Sequence, residues 1–408
     1  MSEVTKPIVL DETMQALNHL ISHQNAAIDL LAADARSDLV TDVATVAQLA
    51  KSGELLDVMD YGDEIHPEWI DGTTHYNPSM NLCHESDELL EDGETIHGVF
   101  FEWDKTLPYG TQFDAPEAIA YFDGTEEAGD YYISIGKAYG TGWDTNKHIQ
   151  FTLTEAPANG DQLVISLETS SDTDPTNGRT WTVYAKGGTE AKQTGTTSNG
   201  TSGTELGSTS TSNTHSTNGK INAPSRAVYG YNRWSQSGLR QFLNSAAAAG
   251  SWWTAQNAWD RPHVLAATKA GFLSGYDAGV VNYFKPIKVV TVACDGDSNA
   301  EDITYDKVFL SSIEQMYCVP QFSGKEGSYW EYYKRLLGRT SPAPTGQTYA
   351  RLKKYGLEAP TTAQSCFRRS AYRASASSVW YVSTSGCVYY YHAASNSYRC
   401  APGVFISD

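Results

Sequence analysis

At 408 residues the chain is long enough for two or three domains of ordinary size. A hydrophobic fraction of 40%, with 12% aromatics, supports packed cores and excludes wholesale disorder. A net charge of −19 excludes phosphate-backbone binding as a main activity, so no nucleic-acid partner is expected. No stretch approaches the ~20 continuous apolar residues of a membrane span, and no membrane insertion is expected. Met1 to Lys6 is polar and lacks the apolar run of a secretory signal, which predicts a chain made in the cytoplasm.

In chain order, residues 8–35 read as a helix. Met14, Leu17, Ile21, Ile28 and Leu31 fall on a and d positions of a heptad, with Gln24 the one polar core position. Such a seam suits either self-association or docking on the same chain, and periodicity does not separate the two. A second helix is expected over Asp42 to Ser52, ending at Gly53; together these make an N-terminal helical anchoring or oligomerisation segment, 1–52.

From 53 to 187 the texture changes to short β-like runs bounded by turn signals: HGVFFEW, AIAYFDG, DYYISIG, HIQFTL, DQLVISL and TWTVYA. They predict an antiparallel β domain, as a sandwich or barrel. Residues 188–222 are nearly all Gly, Ser, Thr and Asn, a composition that buries little apolar area, and they read as a linker or surface loop.

From 223 onward aromatics are dense. Leu239, Phe242 and Leu243 share a helix face, with Ser235 as the expected N-cap. KVFLSSIEQMY reads as a strand running into a helix, because Phe309, Ile313 and Met316 have helical spacing. The end alternates like strands joined by a Ser385-Gly386 turn.

Little points to catalysis or metal. No G-x-S-x-G elbow, Walker A loop or G-x-G-x-x-G turn is present, so no catalytic residue is expected. The six cysteines (83, 294, 318, 366, 387, 400) form no CxxC pair and read as reduced thiols. Acidic clusters at Glu85, Asp87, Glu88 and Glu91 and at Asp295, Asp297, Glu301 and Asp302 lack EF-hand order and read as solvated loops, with calcium at one of them the alternative. No metal and no cofactor is expected. Trp252, Trp253 and Trp259 suit a core better than a sugar-stacking platform.

One segment stands apart. Between Arg373 and Arg399 there is no charged residue, while Tyr and Ser crowd the interval. Tyr brings rigid contact area at low entropic cost and Ser adaptable hydrogen bonds, the composition of antibody paratopes. By period-2 alternation Trp380, Val382 and Val388 point inward, and Tyr381, Ser383, Cys387 and Tyr389 outward. An exposed aromatic patch of this kind marks an interaction site, so the chain is expected to bind and not to catalyse.

The motifs YGYNRWSQSGLRQFLNS, WWTAQNAWDRP, GFLSGY, DITYDKVFLSSIEQMY, EGSYWEYYK and the closing RRSAYRAS, VWYVSTSGCV and RCAPGVFI resemble the variable proteins of diversity-generating retroelements. The resemblance is specific over about 225–408, weaker over 54–186 and silent on 1–50. It implies an α+β chain whose C-terminal domain, 223–408, has a C-type-lectin-like fold related to formylglycine-generating enzyme. A β-rich domain and an N-terminal helix would precede it. It also implies that error-prone copying at adenines rewrites Asn codons within a variable region of about 368–399.

The positions that fit such codons are Tyr372, Ser375, Ser377, Ser378, Tyr381, Ser383, Ser385, Cys387, Tyr389, Tyr390, Tyr391, His392, Ser395, Asn396, Ser397 and Tyr398. Arg369, Ser370, Trp380, Val382, Gly386, Val388, Arg399 and Pro402 fit the fixed scaffold. The function implied is a phage- or prophage-encoded, virion-associated binding protein. Its partners would be a host-cell surface protein or glycan, other virion proteins and further copies of itself, a trimer being preferred. Two alternatives are a decoration protein of capsid or tail without a defined receptor, and an oxidase that would need two cooperating cysteines, Cys387 and Cys400 being the nearest pair.

Overall fold

The computed structural model describes residues 42–137, 147–166, 177–211, 213–216 and 219–408. The expected heptad helix of 8–35 lies outside these residues. Strand predominates and the helices are few and short, a mixed α+β architecture.

The first helix, α1 (Val43–Ser52), begins where Asp42 accepts the Thr45 amide at 2.9 Å, and ends at Gly53 in the left-handed conformation. Its buried residues Val43, Val46, Ala47 and Ala50 follow helical spacing, so one face packs on the core. Strands β1 (Met80–Leu89) and β2 (Thr95–Trp103) pair antiparallel, with an irregularity between Leu82 and His84. On its other side β2 pairs with the C-terminal segment Gly403–Ile406, Val99 opposite Ile406. Residues 98–103 are buried without alternation, as expected of a strand covered on both faces.

A second body occupies residues 119–221. Strands β3 (Ala120–Tyr121), β4 (Gly129–Lys137), β5 (Lys147–Leu153), β6 (Gln162–Ile165), β7 (Thr180–Tyr184), β8 (Ala191–Thr196) and β9 (Thr204–Thr211) form two sheets. Their orders are β8-β7-β6-β3 and β9-β4-β5. Both sheets feed one apolar core, where Phe151 of one meets Trp181 of the other at 5.9 Å between ring centroids. The ends of this body lie side by side: the Asn222 amide donates to the Ile119 carbonyl at 2.8 Å.

The chain then returns to the first body through α2 (Pro224–Tyr229) and α3 (Gly238–Leu243). A ribbon follows, β10 (Ile287–Val292) with β11 (Glu301–Asp306), and then the short strand β12 (Val308–Phe309). The last sheet comprises β13 (Cys366–Ala371), β14 (Ser378–Val382), β15 (Val388–His392) and β16 (Arg399–Cys400), in the order β15-β14-β13-β16. The closing strand β17 (Gly403–Ile406) is the partner of β2.

Four expectations are corrected here. The segment 53–187 is not one β domain: residues 64–113 share a sheet and a core with the C-terminus, and only 119–221 form a body of their own. Strand periodicity reports which residues alternate, not which distant strand they pair with. The expected linker 188–222 holds β8 and β9. Thr194, Thr196, Thr204 and Ser208 are exposed, while Gln193, Leu206 and Thr209 are buried. Ser237, not Ser235, caps α3, accepting the Arg240 amide at 3.2 Å, while Ser235 donates to Asp302 at 2.6 Å. Finally, Ile313 to Met316 form a turn and not a helix. There the Ser312 hydroxyl accepts the Gln315 amide at 3.0 Å and the Gln315 side chain accepts the Ser312 amide at 3.1 Å, as at a helix start, but Tyr317 takes φ 57° and the turn does not continue.

Candidate ligand-binding face

The site is built on β14 and β15. In their register Tyr381 lies opposite Tyr389, Trp380 opposite Tyr390 and Val382 opposite Val388. Side chains alternate across a strand, so Val382 and Val388 go to the core while Tyr381, Tyr389 and Tyr391 share the outer face. Tyr389 and Tyr391 are 45% and 44% exposed, among the few large apolar side chains left in solvent. The turn between the strands closes through the Gly386 amide, which donates to the Ser383 carbonyl at 2.8 Å. Gly386 has φ 88°, and a Cβ there would stand 2.2 Å from the Tyr349 carbonyl oxygen.

Rings stack around the outer strand in two groups. Tyr398 lies 4.7 Å from Tyr381 and 5.1 Å from Tyr391. On the other side Tyr372 stacks on Tyr390 at 3.6 Å, and Tyr390 on Tyr389 at 4.5 Å. Aromatic pairs of this kind hold rings in place beyond the area they bury. His392 stacks on Tyr229 at 3.8 Å, and partial burial lowers its pKa, which keeps it neutral. Tyr229 was not anticipated; it lies in α2, far from the Tyr-rich interval, and only the fold brings it there.

The presumed variable positions divide by exposure. Ser385, Tyr389, Tyr391, Asn396 and Ser397 are exposed. Tyr372, Ser375, Tyr381, Ser383, Cys387, Tyr390, His392, Ser395 and Tyr398 are partly exposed. Ser377 and Ser378 are not on the face: both are buried, their carbonyls held by the Ala393 amide at 2.8 Å and the Asn232 side chain at 2.8 Å. Of the presumed scaffold, Arg369, Ser370, Trp380, Val382, Gly386, Val388 and Pro402 are buried and Arg399 is half-buried.

The face carries no net charge of its own. Its flanking cations are neutralised beside it, Arg373 by Asp295 at 2.8 Å and Arg399 by Glu358 at 2.6 Å. Beneath it a charged hub is sealed from water. Arg368 meets Glu102 at 2.6 Å and Lys354 meets it at 3.4 Å, while the Tyr333 hydroxyl donates to the same carboxylate. Burial alone would push the Glu102 carboxyl up, but Lys354 and Arg368 together hold it below its ordinary value.

The remaining candidates fare as follows. All six cysteines are free thiols; burial pushes Cys400 well up and Cys366 up, so neither is an available thiolate. The two acidic clusters are largely ion-paired, with His97 against Glu85 and Asp87, Arg233 against Asp302, and Lys325 against Glu301. Trp252 is buried and donates to the Lys269 carbonyl at 2.7 Å. Among the described residues, Asp114, Glu117 and Asp260 are the carboxylates grouped closely enough to hold a metal ion. Among the described residues no helix is long and apolar enough to cross a membrane.

No curated protein and no solved structure matches the chain. A family model described as a domain of unknown function, DUF6273, matches residues 214–407, which include α2 and α3, the Tyr-rich sheet and β17.

Proposed function

We propose that this chain is a binding protein whose β14–β15 face and adjoining 393–398 loop form the diversified surface of a C-type-lectin-like domain. The ligand would be a protein or glycan on a host-cell surface, and the chain would work as part of a phage or prophage particle. One observation carries the reading: the Asn-codon-compatible side chains, Ser377 and Ser378 apart, are exposed or partly exposed, while the interleaved scaffold positions are buried or, for Arg399, half-buried. All of the former but Tyr372 lie between Arg373 and Arg399, an interval without Asp, Glu, Lys or Arg. A surface so divided can change its ligand without touching its core. Contact area in such a surface comes from Tyr, and weak single contacts gain from several copies on one particle.

A library test addresses the division directly. The exposed and partly exposed positions are randomised together to the amino acids reachable from Asn codons, and folded members are selected by protease resistance. In a second library Trp380, Val382, Gly386 and Val388 are randomised in the same way. The reading expects most members of the first library to stay folded and few of the second. Equal survival would overturn it. Diversification has a separate genetic test: a nearby reverse-transcriptase gene with an imperfect repeat that differs only at adenines is expected, and differences at all four bases would sink that part.

A further inference from the structure

Asp114, Glu117 and Asp260 come from two segments far apart in sequence and meet where the chain crosses from the first body to the second. A carboxylate oxygen of each lies within 4.8 Å of the others. All three side chains are nearly sealed from water, at 5%, 1% and 4% exposure. One buried cation faces them: Arg226 of α2 binds both oxygens of Glu117, at 2.7 and 2.9 Å. With all three ionised, three carboxylates against one guanidinium would leave a double negative charge in a place where an uncompensated charge is costly.

The hydrogen bonds show which oxygens are in need of a partner. Glu117 is well supplied, since Asn222 and Asn257 donate to it besides Arg226. Asp114 accepts the Gly238 amide at 3.1 Å. Asp260 takes two backbone amides, Gln256 and Asn257, on its Oδ2 alone. Its Oδ1 is buried and receives no donor, the Asp260 carboxyl lying within hydrogen-bond reach of the Glu117 carboxylate. A buried carboxylate oxygen without a donor, inside a cluster with excess negative charge, is the environment a hard cation completes.

We infer that Asp114, Glu117 and Asp260 form a site for one divalent, oxygen-seeking cation such as calcium. Asp114 and Asp260 would be its direct ligands, with Glu117 sharing Oε1. A divalent ion would bring the cluster to neutrality with Arg226. Burial and mutual repulsion fit the same picture, pushing the Asp114 carboxyl well up and that of Asp260 up to about 7. The donors are all oxygen, which disfavours the softer transition metals.

The position gives the ion a consequence. The Phe113 and Asp114 amides both donate to the Ala393 carbonyl, at 2.8 and 3.2 Å, and the Gln112 side chain donates to the Ala394 carbonyl at 3.1 Å. The site therefore lies under the start of the 393–398 loop, and a bound ion would brace that loop from below. The carboxylates escape a sequence search because 114, 117 and 260 match no ligand spacing.

The test uses the full chain, stripped with EDTA and then titrated with calcium, magnesium or manganese chloride by calorimetry, with thermal unfolding in parallel. The expected result is uptake of one equivalent of at least one of these ions, with a higher Tm on its addition and reversal by chelator. Asp260→Asn should weaken that uptake by at least about tenfold. No saturable uptake by the wild type up to about 1 mM of each ion would overturn the site. So would an Asp260→Asn protein that binds as tightly as the wild type, since that would place the uptake elsewhere on an acidic surface. If Asp260→Asn does not fold, Asp114→Asn serves as the variant, and the wild-type titration decides by itself.

Discussion

Glu102 sits next to the last residue of β2 with 1% exposure, and Arg368 beside it has none. Each is tolerable only because the other is there. Removing one member of such a pair leaves a buried charge unmet, which typically costs about 3–5 kcal/mol. Glu102→Gln, which strands both Arg368 and Lys354, is therefore expected to lower unfolding stability by about that much in denaturant titrations at neutral pH; a loss below about 1 kcal/mol would contradict the assignment. The pH dependence follows from the direction of the shift. The Glu102 carboxyl is held below its ordinary value in the fold, so its contribution is present above the unfolded value and is lost as pH falls through the folded one. Acid unfolding of the wild type below about pH 4.5 should thus be steeper than that of the Gln variant. In the sequence Glu102 reads as one acid in an aromatic strand. Its role was not legible, because its partners come from 266 and 252 residues further along the chain.

At the scale of elements, β14 and β15 were legible for a simple reason. Alternation over VWYV and the Ser-Gly turn are local signals, and local signals survive into the fold. YYYH resisted that reading because β15 is an edge strand: Tyr389 and Tyr391 leave on one face, while Tyr390 stacks against Tyr372 on the other. β8 and β9 were missed for the opposite reason, since exposed Thr and Ser along a strand look the same in sequence as a solvated loop. The division across β14–β15 makes a mutational contrast. Tyr389→Ala and Tyr391→Ala should each change stability by less than about 1 kcal/mol, because both side chains lie on the solvent side of the edge strand and neither fills the core. Val382→Ala and Val388→Ala should each cost about 2 kcal/mol or more, because both side chains are fully buried. Gly386→Ala should cost at least about 1 kcal/mol, from the positive φ and the approach to Tyr349. Chemical denaturation of the five variants checks the set, and a Tyr variant as damaging as a Val variant would place those rings in the core.

At the scale of the whole molecule, the fold is a first body closed by its own C-terminus and interrupted by a second. β2 meets β17 across some 300 residues, a pairing that no window of sequence reveals. The interruption has the geometry of an insertion. Ile119 and Asn222 are hydrogen-bonded to each other, Ala120 bridges to Ile221, and the two bodies have separate apolar cores. A segment whose ends already touch can be replaced by a short turn without stretching the chain around it. Contacts would be lost, among them the Gln162 side chain donating to the Ala258 and Asp260 carbonyls, Asn213 with the Ala374 carbonyl and the Ala376 amide, and His215 with Arg226 and Trp259. Those contacts are peripheral to the first body's core, which contains α1, β2, β13 and β17. Replacing residues 121–220 by a four-residue Gly/Ser turn (on the order of a common hairpin loop) should therefore give a protein that unfolds in one cooperative step. It should keep the near-ultraviolet dichroism of its buried tryptophans and the solvent accessibility of Tyr389 and Tyr391. A product without cooperative unfolding would mean that the second body is needed to complete the first, and that the face on β14–β15 depends on both.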